Sequence, residues 1–368
     1  MDDVAVALLK PTTMTDRDAV ANMVARLHEE EARATETPLL RLDLPAVPNI
    51  PVYLKDETRQ PTGSLKHRLA RSLFMHGLVS GRIGPDSTII EASSGSTAVS
   101  EAYFARLLGL PFVAVVPRTT SPAKLALIEA HGGECHLVEP GVDVREESQR
   151  LAVERGGVFI DQFTYAERAS DWQGRSNIGA AILDQLVAAG APELAWVVAG
   201  AGTGGTITTI GRHLRYRGLD AKICLVDPDR SVLHRHCNDR AQSACPGPAS
   251  LVEGIGRQRV EASFLPALVD RWLAVPDAAS IAAARGLSRL LGRECGGSTG
   301  TAFWGVATVV AEMARTGRSG AVVFLCCDGG ERYASSYFND TWVRDQALDL
   351  APFATRLNAF VETGRFAN

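Results

Sequence analysis

Short apolar runs alternate with longer amphipathic stretches along most of the chain, and this alternation predicts its elements. Residues 52–55, 88–90, 112–116, 135–138 and 158–160 read as strands, and 195–199, 222–226, 271–275 and 321–326 as a second set. Nearly continuous apolar strands are buried on both faces, as in parallel sheets covered by helices. Between them, 97–108, 122–131, 144–155, 205–217 and 278–291 carry apolar residues at helical spacing. Val20, Met23, Val24 and Leu27 mark a lead-in helix, with Thr15 and Asp18 as a capping box; Pro38 then turns the chain extended. Past Ala347, the residues Leu348, Leu350, Phe353, Leu357 and Phe360 predict a packing or dimer helix. The pattern as a whole predicts an α/β fold of two units with ligands at the carboxyl ends of strands.

Composition narrows the function classes. The chain has 368 residues and a formal net charge of −4, which argues against a nucleic-acid binder. No apolar run is long enough to span a membrane, and the first residues are acidic where a secretory signal is basic. Seven cysteines lie scattered without a disulfide framework, so a reduced, cytoplasmic protein is expected. His234, His236, Cys237 and Cys245 cluster, but their spacing fits no standard zinc site, and no metal is expected. Cys326 and Cys327 end a strand and read as core packing.

The loops after the strands carry the chemistry. In the first, Ser64 reads as a helix cap that places Lys66 in the opening turn, where amide dipoles lower a lysine pKa. Such a lysine suits Schiff-base chemistry; the plainer reading is an exposed lysine. The second loop, Ser93, Ser94, Gly95, Ser96 and Thr97, offers hydroxyls and amides to a carboxylate or phosphate, or is simply a polar cap. The third, Gly202, Thr203, Gly204, Gly205 and Thr206, suits an anion at a helix start. Gly200, Gly202 and Gly205 also match G-x-G-x-x-G, with Asp227 positioned to bind a ribose. Alone, that match points to an NAD-dependent oxidoreductase, which stands as the rival class.

The order of these loops resembles fold-type-II pyridoxal-phosphate enzymes of the cysteine synthase and cystathionine β-synthase group. The resemblance runs from Thr37 to Tyr333 and rests on several stretches. P-x-G-S-x-K-x-R matches Pro61 to Arg68, and G-T-G-G-T is Gly202 to Thr206. G-I-G is Gly254 to Gly256, and G-E-R-Y is Gly330 to Tyr333. Jointly these outweigh the dinucleotide match, which leaves the lysine loop unexplained. The family has asparagine where this chain has Ser96. With Lys66-His67-Arg68, that loop is similar to the branch that includes L-cysteine desulfhydrases.

The resemblance implies two three-layer αβα domains with mostly parallel sheets, similar to tryptophan synthase β, and pyridoxal 5'-phosphate in the cleft between them. It implies a smaller domain over 45–165, a larger one from 1–44 plus 166–345, a helical tail over 346–368, and a homodimer. Lys66 would hold the cofactor and take the substrate's Cα proton; residues 202–206 would bind the phosphate. Ser96 would meet the cofactor's 3-oxygen, and Ser298, with Thr299 in reserve, the ring nitrogen. A neutral hydroxyl there favours loss of a β-leaving group. Ser93, Ser94, Gly95, Thr97, Gln162 and Gly254 would hold a small amino-acid substrate, L-cysteine or an activated serine. The implied reaction is β-elimination from L-cysteine to hydrogen sulfide, pyruvate and ammonia. The alternative is β-replacement, as in cysteine synthase or cystathionine β-synthase.

Overall fold

The computed structural model describes residues 14–174 and 176–366. Among these, ten strands form: β1 (Leu39–Leu42), β2 (Val52–Asp56), β3 (Ile89–Glu91), β4 (Phe112–Pro117), β5 (Glu134–Val138), β6 (Val158–Phe159), β7 (Leu194–Ala199), β8 (Lys222–Pro228), β9 (Arg271–Val275) and β10 (Ala321–Cys326). All nine expected strands are present, displaced by two residues at most. The helices are α1 (Met14–Arg33), α2 (Lys66–Val79), α3 (Ser96–Leu108), α4 (Pro122–Glu129), α5 (Val144–Glu154), α6 (Gln162–Ala169), α7 (Ile178–Ala188), α8 (Gly205–Tyr216), α9 (Leu233–Asn238), α10 (Asp277–Leu291), α11 (Gly297–Arg315), α12 (Asp340–Asp345) and α13 (Ala351–Thr363). The side chain of Thr15, the expected cap of α1, lies outside the described residues.

The strands make a six-stranded sheet, ordered β1-β2-β10-β7-β8-β9, and a four-stranded one, ordered β5-β4-β3-β6. Only the β1–β2 pair is antiparallel. Neighbouring residues on a strand pack to opposite faces. Leu54 thus joins Val226, Phe324, Leu287 and Phe303 beneath α10 and α11, while Tyr53 joins Val197, Leu225, Ile182 and Ile210 beneath α7 and α8. In the smaller sheet Phe112 and Ala114 pack with Phe74 and Phe104 of α2 and α3, and Val113 and Val115 with Leu151 of α5. Each sheet is therefore the middle of three layers.

Two elements cross the expected sequence division. β2 lies within 45–165 yet pairs with β1 and β10 in the larger sheet. Its five residues are all buried, which requires a central place between two strands. α1 precedes residue 45, yet its Met23 and Leu27 pack on α2 and α3 against the smaller sheet. The tail helix α13 inserts Leu357 and Phe360 beside Phe303, in the core of its own chain.

Candidate active site

α2 begins at Lys66, immediately after a loop stitched to the end of β10. Ser64 Oγ accepts from the Lys66 amide at 3.3 Å, and the Leu65 amide donates to the Cys327 carbonyl at 2.8 Å. Burial is the leading cause that pushes the Lys66 amine below its ordinary pKa. The Arg257 charge pushes the same way, while Cys327, Asp328 and Glu101 oppose it. The expected lowering is present, with burial at the head of its causes. Among the described residues no acceptor ties down the Lys66 amine.

The glycine loop between β7 and α8 is shaped by its neighbours' backbone. A Cβ at Gly202 would lie 2.4 Å from the Gly254 carbonyl oxygen, and one at Gly205 2.9 Å from Ala166 Cβ. Gly204 has φ +88°, which favours glycine, and a Cβ there would lie 2.7 Å from Phe264 Cα. Thr203 Oγ1 accepts from the Gly205 amide at 3.3 Å. The start of α8, flanked by the Thr203 and Thr206 hydroxyls, is thus a rigid set of donors for an anion. Gly254, expected among the substrate contacts, packs on this loop, and the Gly256 amide donates to the Ala201 carbonyl at 2.9 Å. Thr206 and Leu65, the neighbour of Lys66, line one small cavity. Asp227 is fully buried, and its Oδ2 accepts from the His234 amide at 2.8 Å and from Nδ1 at 2.9 Å. The acidic residue of the dinucleotide pattern is therefore spent on His234.

The hydroxyl loop before α3 opens on a cleft of about 540 Å³, lined by Ser93, Ser94, Phe163 and Arg257 among others. Ser93 Oγ accepts from the Gly95 amide at 3.3 Å, and Gly95 precedes the first residue of α3. Thr97 Oγ1 donates to Gln162 Oε1 at 2.8 Å, which brings these two candidates together across 65 residues of chain. The Gln162 amide donates to Glu91 Oε2 at 3.0 Å. Ser96 Oγ accepts from Arg332 Nη1 at 2.8 Å. Beneath the loop, Glu91 and Glu101 are fully buried. Burial raises both carboxyls, and the charge of Glu91 raises Glu101 further. Neither Glu101 oxygen has a hydrogen-bond partner among the described residues.

Ser298, in the first turn of α11, is buried and lowers the Cys327 thiol against its burial, and Cys327 in turn acts on Lys66. Thr299 is turned away: its Oγ1 accepts from the Cys327 amide at 3.3 Å and lies 3.7 Å from Cys326 Sγ. The geometry favours Ser298 over Thr299 for a ring nitrogen. Cys326 is core, as expected, but Cys327 is partly exposed beside Lys66, and burial pushes its thiol up to about 12. Consecutive strand residues point to opposite sides, and that rule was the available signal. Sequence reasoning also missed Glu101 and the Arg332–Ser96 contact; an acidic residue inside an otherwise apolar helix face is the only sign of the former.

A half-buried amine without a hydrogen-bond acceptor, a rigid amide cradle and a neutral hydroxyl fit the aldehyde, phosphate and ring nitrogen of pyridoxal phosphate. Comparison with known proteins agrees. The chain is 51% identical, over 94% of its length and 95% of the relative's, to L-cysteine desulfhydrase Cds1 of Mycobacterium tuberculosis. It is 34% identical to N-(2-amino-2-carboxyethyl)-L-glutamate synthase of Ralstonia nicotianae, over 79% of this chain and 83% of that one. A hydrogen sulfide-producing enzyme from Fusobacterium nucleatum shares the fold, with a TM-score of 0.74 at 23% identity, covering 86% of this chain and 92% of that one. Residues 31–328 match the family described as pyridoxal-phosphate dependent enzyme, and the chain belongs to that family.

Proposed function

We propose that this enzyme eliminates the β-substituent of L-cysteine, giving hydrogen sulfide, pyruvate and ammonia. The observation that carries the reading is the 51% identity, across nearly the whole of both chains, to a relative named as an L-cysteine desulfhydrase. The Ser93–Thr97 segment supports it. The resemblance implies asparagine at the place of Ser96, and a shorter hydroxyl there leaves a closed state less firmly held, which favours early product release over capture by a second substrate.

Bound pyridoxal phosphate supplies an electron sink that makes the substrate's Cα proton acidic. Lys66, with its pKa lowered by burial, would anchor the cofactor and then take that proton as general base. Ser93, Ser94, Gly95 and Thr97 hold the substrate carboxylate, with Gln162 locked against Thr97. Residues 202–206 would hold the phosphate, and Ser298 would meet the ring nitrogen as a neutral hydroxyl that does not charge it. We extend the reading to a homodimer in the cytoplasm, in keeping with cysteines that are all free among the described residues. We also keep a smaller lobe around β3–β6, a larger lobe around the six-stranded sheet and a terminal helix as the working domains.

The rival is β-replacement with the same residues. Sulfide and pyruvate are measured with L-cysteine alone, and cysteine with O-acetylserine plus sulfide. Sulfide release with the higher kcat/KM is the expected result. Synthesis about a hundredfold ahead, some 2.7 kcal/mol in barrier, would make the enzyme a synthase.

A further inference from the structure

Ser96 stands where the resemblance implies an amide side chain, and a hydroxyl has only one hydrogen to give. Which way that hydrogen points is decided by what Ser96 Oγ accepts. Arg332 Nη1 donates to it at 2.8 Å, and Arg332 Nη2 donates to the Thr62 carbonyl at 3.0 Å. The same guanidinium therefore touches the hydroxyl loop and the lysine loop, which lie on different stretches of chain. Thr62 is itself fixed, with its Oγ1 2.9 Å from Ser100 Oγ and 3.3 Å from His67 Nδ1. His67 Nε2 lies 2.9 Å from Glu30 Oε1 in the buried packing of α1 on α2. Arg332 is thus held at one end by a braced carbonyl, and its other end reaches Ser96. A cation that donates into the Ser96 oxygen cannot accept from it, so the hydroxyl hydrogen must point away from Arg332.

We propose that Arg332 is a positioning residue: by occupying a lone pair of Ser96 Oγ, it turns the Ser96 hydroxyl into an obligate donor toward the cofactor's 3-oxygen. The guanidinium also polarises that hydroxyl, because a charged donor strengthens the bond its acceptor makes onward. Arg332 and Ser96 together then supply a donor to the 3-oxygen, without the longer reach of the amide side chain implied by the resemblance. This inference rests on the reading of Lys66 and Ser96 as cofactor contacts.

The test is a spectroscopic double-mutant cycle on the holoenzyme: wild type, Ser96→Ala, Arg332→Gln and the double variant, with Arg332→Lys as a conservative control. The readouts are the visible absorbance of the lysine-bound cofactor across pH and the cofactor dissociation constant. Loss of the donor should shift the absorbance toward the uncharged, shorter-wavelength form in Ser96→Ala. Arg332→Gln should shift it the same way, and each variant should weaken cofactor binding about tenfold at most. The double variant should be no worse than Ser96→Ala, because Arg332 acts through Ser96. Arg332→Lys, which keeps a donor, should recover part of the shift. An Arg332→Gln spectrum identical to wild type overturns the proposal, and so does a double variant in which the shifts simply add. Should Arg332→Gln fail to fold, Arg332→Met, which has no donor, is measured in its place, and a wild-type spectrum in Arg332→Met alongside a shift in Ser96→Ala overturns the proposal. Borohydride reduction of the same samples separates the underlying reading: if the cofactor is not trapped on Lys66 in wild type, that reading fails, whatever the cycle shows.

Discussion

Lys55 and Lys66 are both drawn out of bulk water by the fold, and the fold treats them in opposite ways. Lys55, on β2, is completely buried, and its Nζ donates to Glu36 Oε1 at 2.9 Å, the Thr37 carbonyl at 2.5 Å and Gln185 Oε1 at 2.8 Å. Those three acceptors match the three donors of an ammonium. Burial lowers its pKa, but the charges of Glu36 and Glu57 hold it up. Arg68 joins the same cluster through Glu57 and Glu36. Lys66 has no such complement, and its strongest named influences are burial and a neutral-leaning thiol. A saturated ammonium fixes chain segments to one another, whereas an unsaturated amine is left basic and nucleophilic. Reactivity is thus marked by missing partners more than by burial itself.

The largest effect is expected from Lys66→Ala. Turnover should fall by about a thousandfold or more, while the cofactor still binds weakly through the start of α8. Undiminished turnover in purified Lys66→Ala protein would sink the mechanism. Lys55→Met tests the other half of the comparison. It removes a buried ammonium from the cluster, while Glu36 keeps Arg68 and the Thr37 carbonyl keeps Gln185, so the expected loss is about 2–3 kcal/mol. Urea denaturation reads that loss, and the cofactor's visible absorbance should be unchanged; a lost absorbance in a stable Lys55→Met protein would mean that the two lysines have been assigned the wrong way round.

A smaller effect follows at the phosphate loop. Thr206→Ala should weaken cofactor binding by about tenfold, while Asp227→Asn should leave it unchanged because Asp227 serves His234. Titration of the cofactor-free protein measures both, and the reverse ranking would revive the dinucleotide reading. The smallest effect is a gain. Burial raises the Glu101 carboxyl above its unfolded value of 4.5. The penalty it imposes on the fold is therefore absent below that pH, grows as pH rises from there toward the folded value, and is constant beyond it. Glu101→Gln should match wild type in melting temperature near pH 4 and exceed it increasingly toward alkaline pH. A constant difference across pH would show that the carboxyl does not titrate as its burial implies.

The sheets were legible because parallel strands are apolar on both faces, a pattern that needs no partner information to recognise. The glycine loop was legible for a related reason: Gly202 and Gly204 are required by backbone contacts that no side chain tolerates, and Gly205 by the close approach of Ala166 Cβ. Lys66 could be found from its loop, but the cause of its lowered pKa could not, since desolvation depends on how α2, α3 and the end of β10 close around it. The membership of β2 in the larger sheet was hidden for the same reason, because the sequence orders strands in time and the sheet orders them in space. Glu101, Cys327 and the clasp between Ser96 and Arg332 join residues from distant stretches of chain, and local pattern carries no trace of such pairings.

Borohydride reduction of the holoenzyme, followed by peptide mass mapping, tests the contrast most directly. Five lysines are present in the sequence, and Lys55 and Lys66 fall on stretches that proteolysis at Arg59 separates. The cofactor should be found covalently attached to the peptide carrying Lys66 and to no other. Attachment at Lys55, or reduction with no attachment to any lysine, would contradict the account.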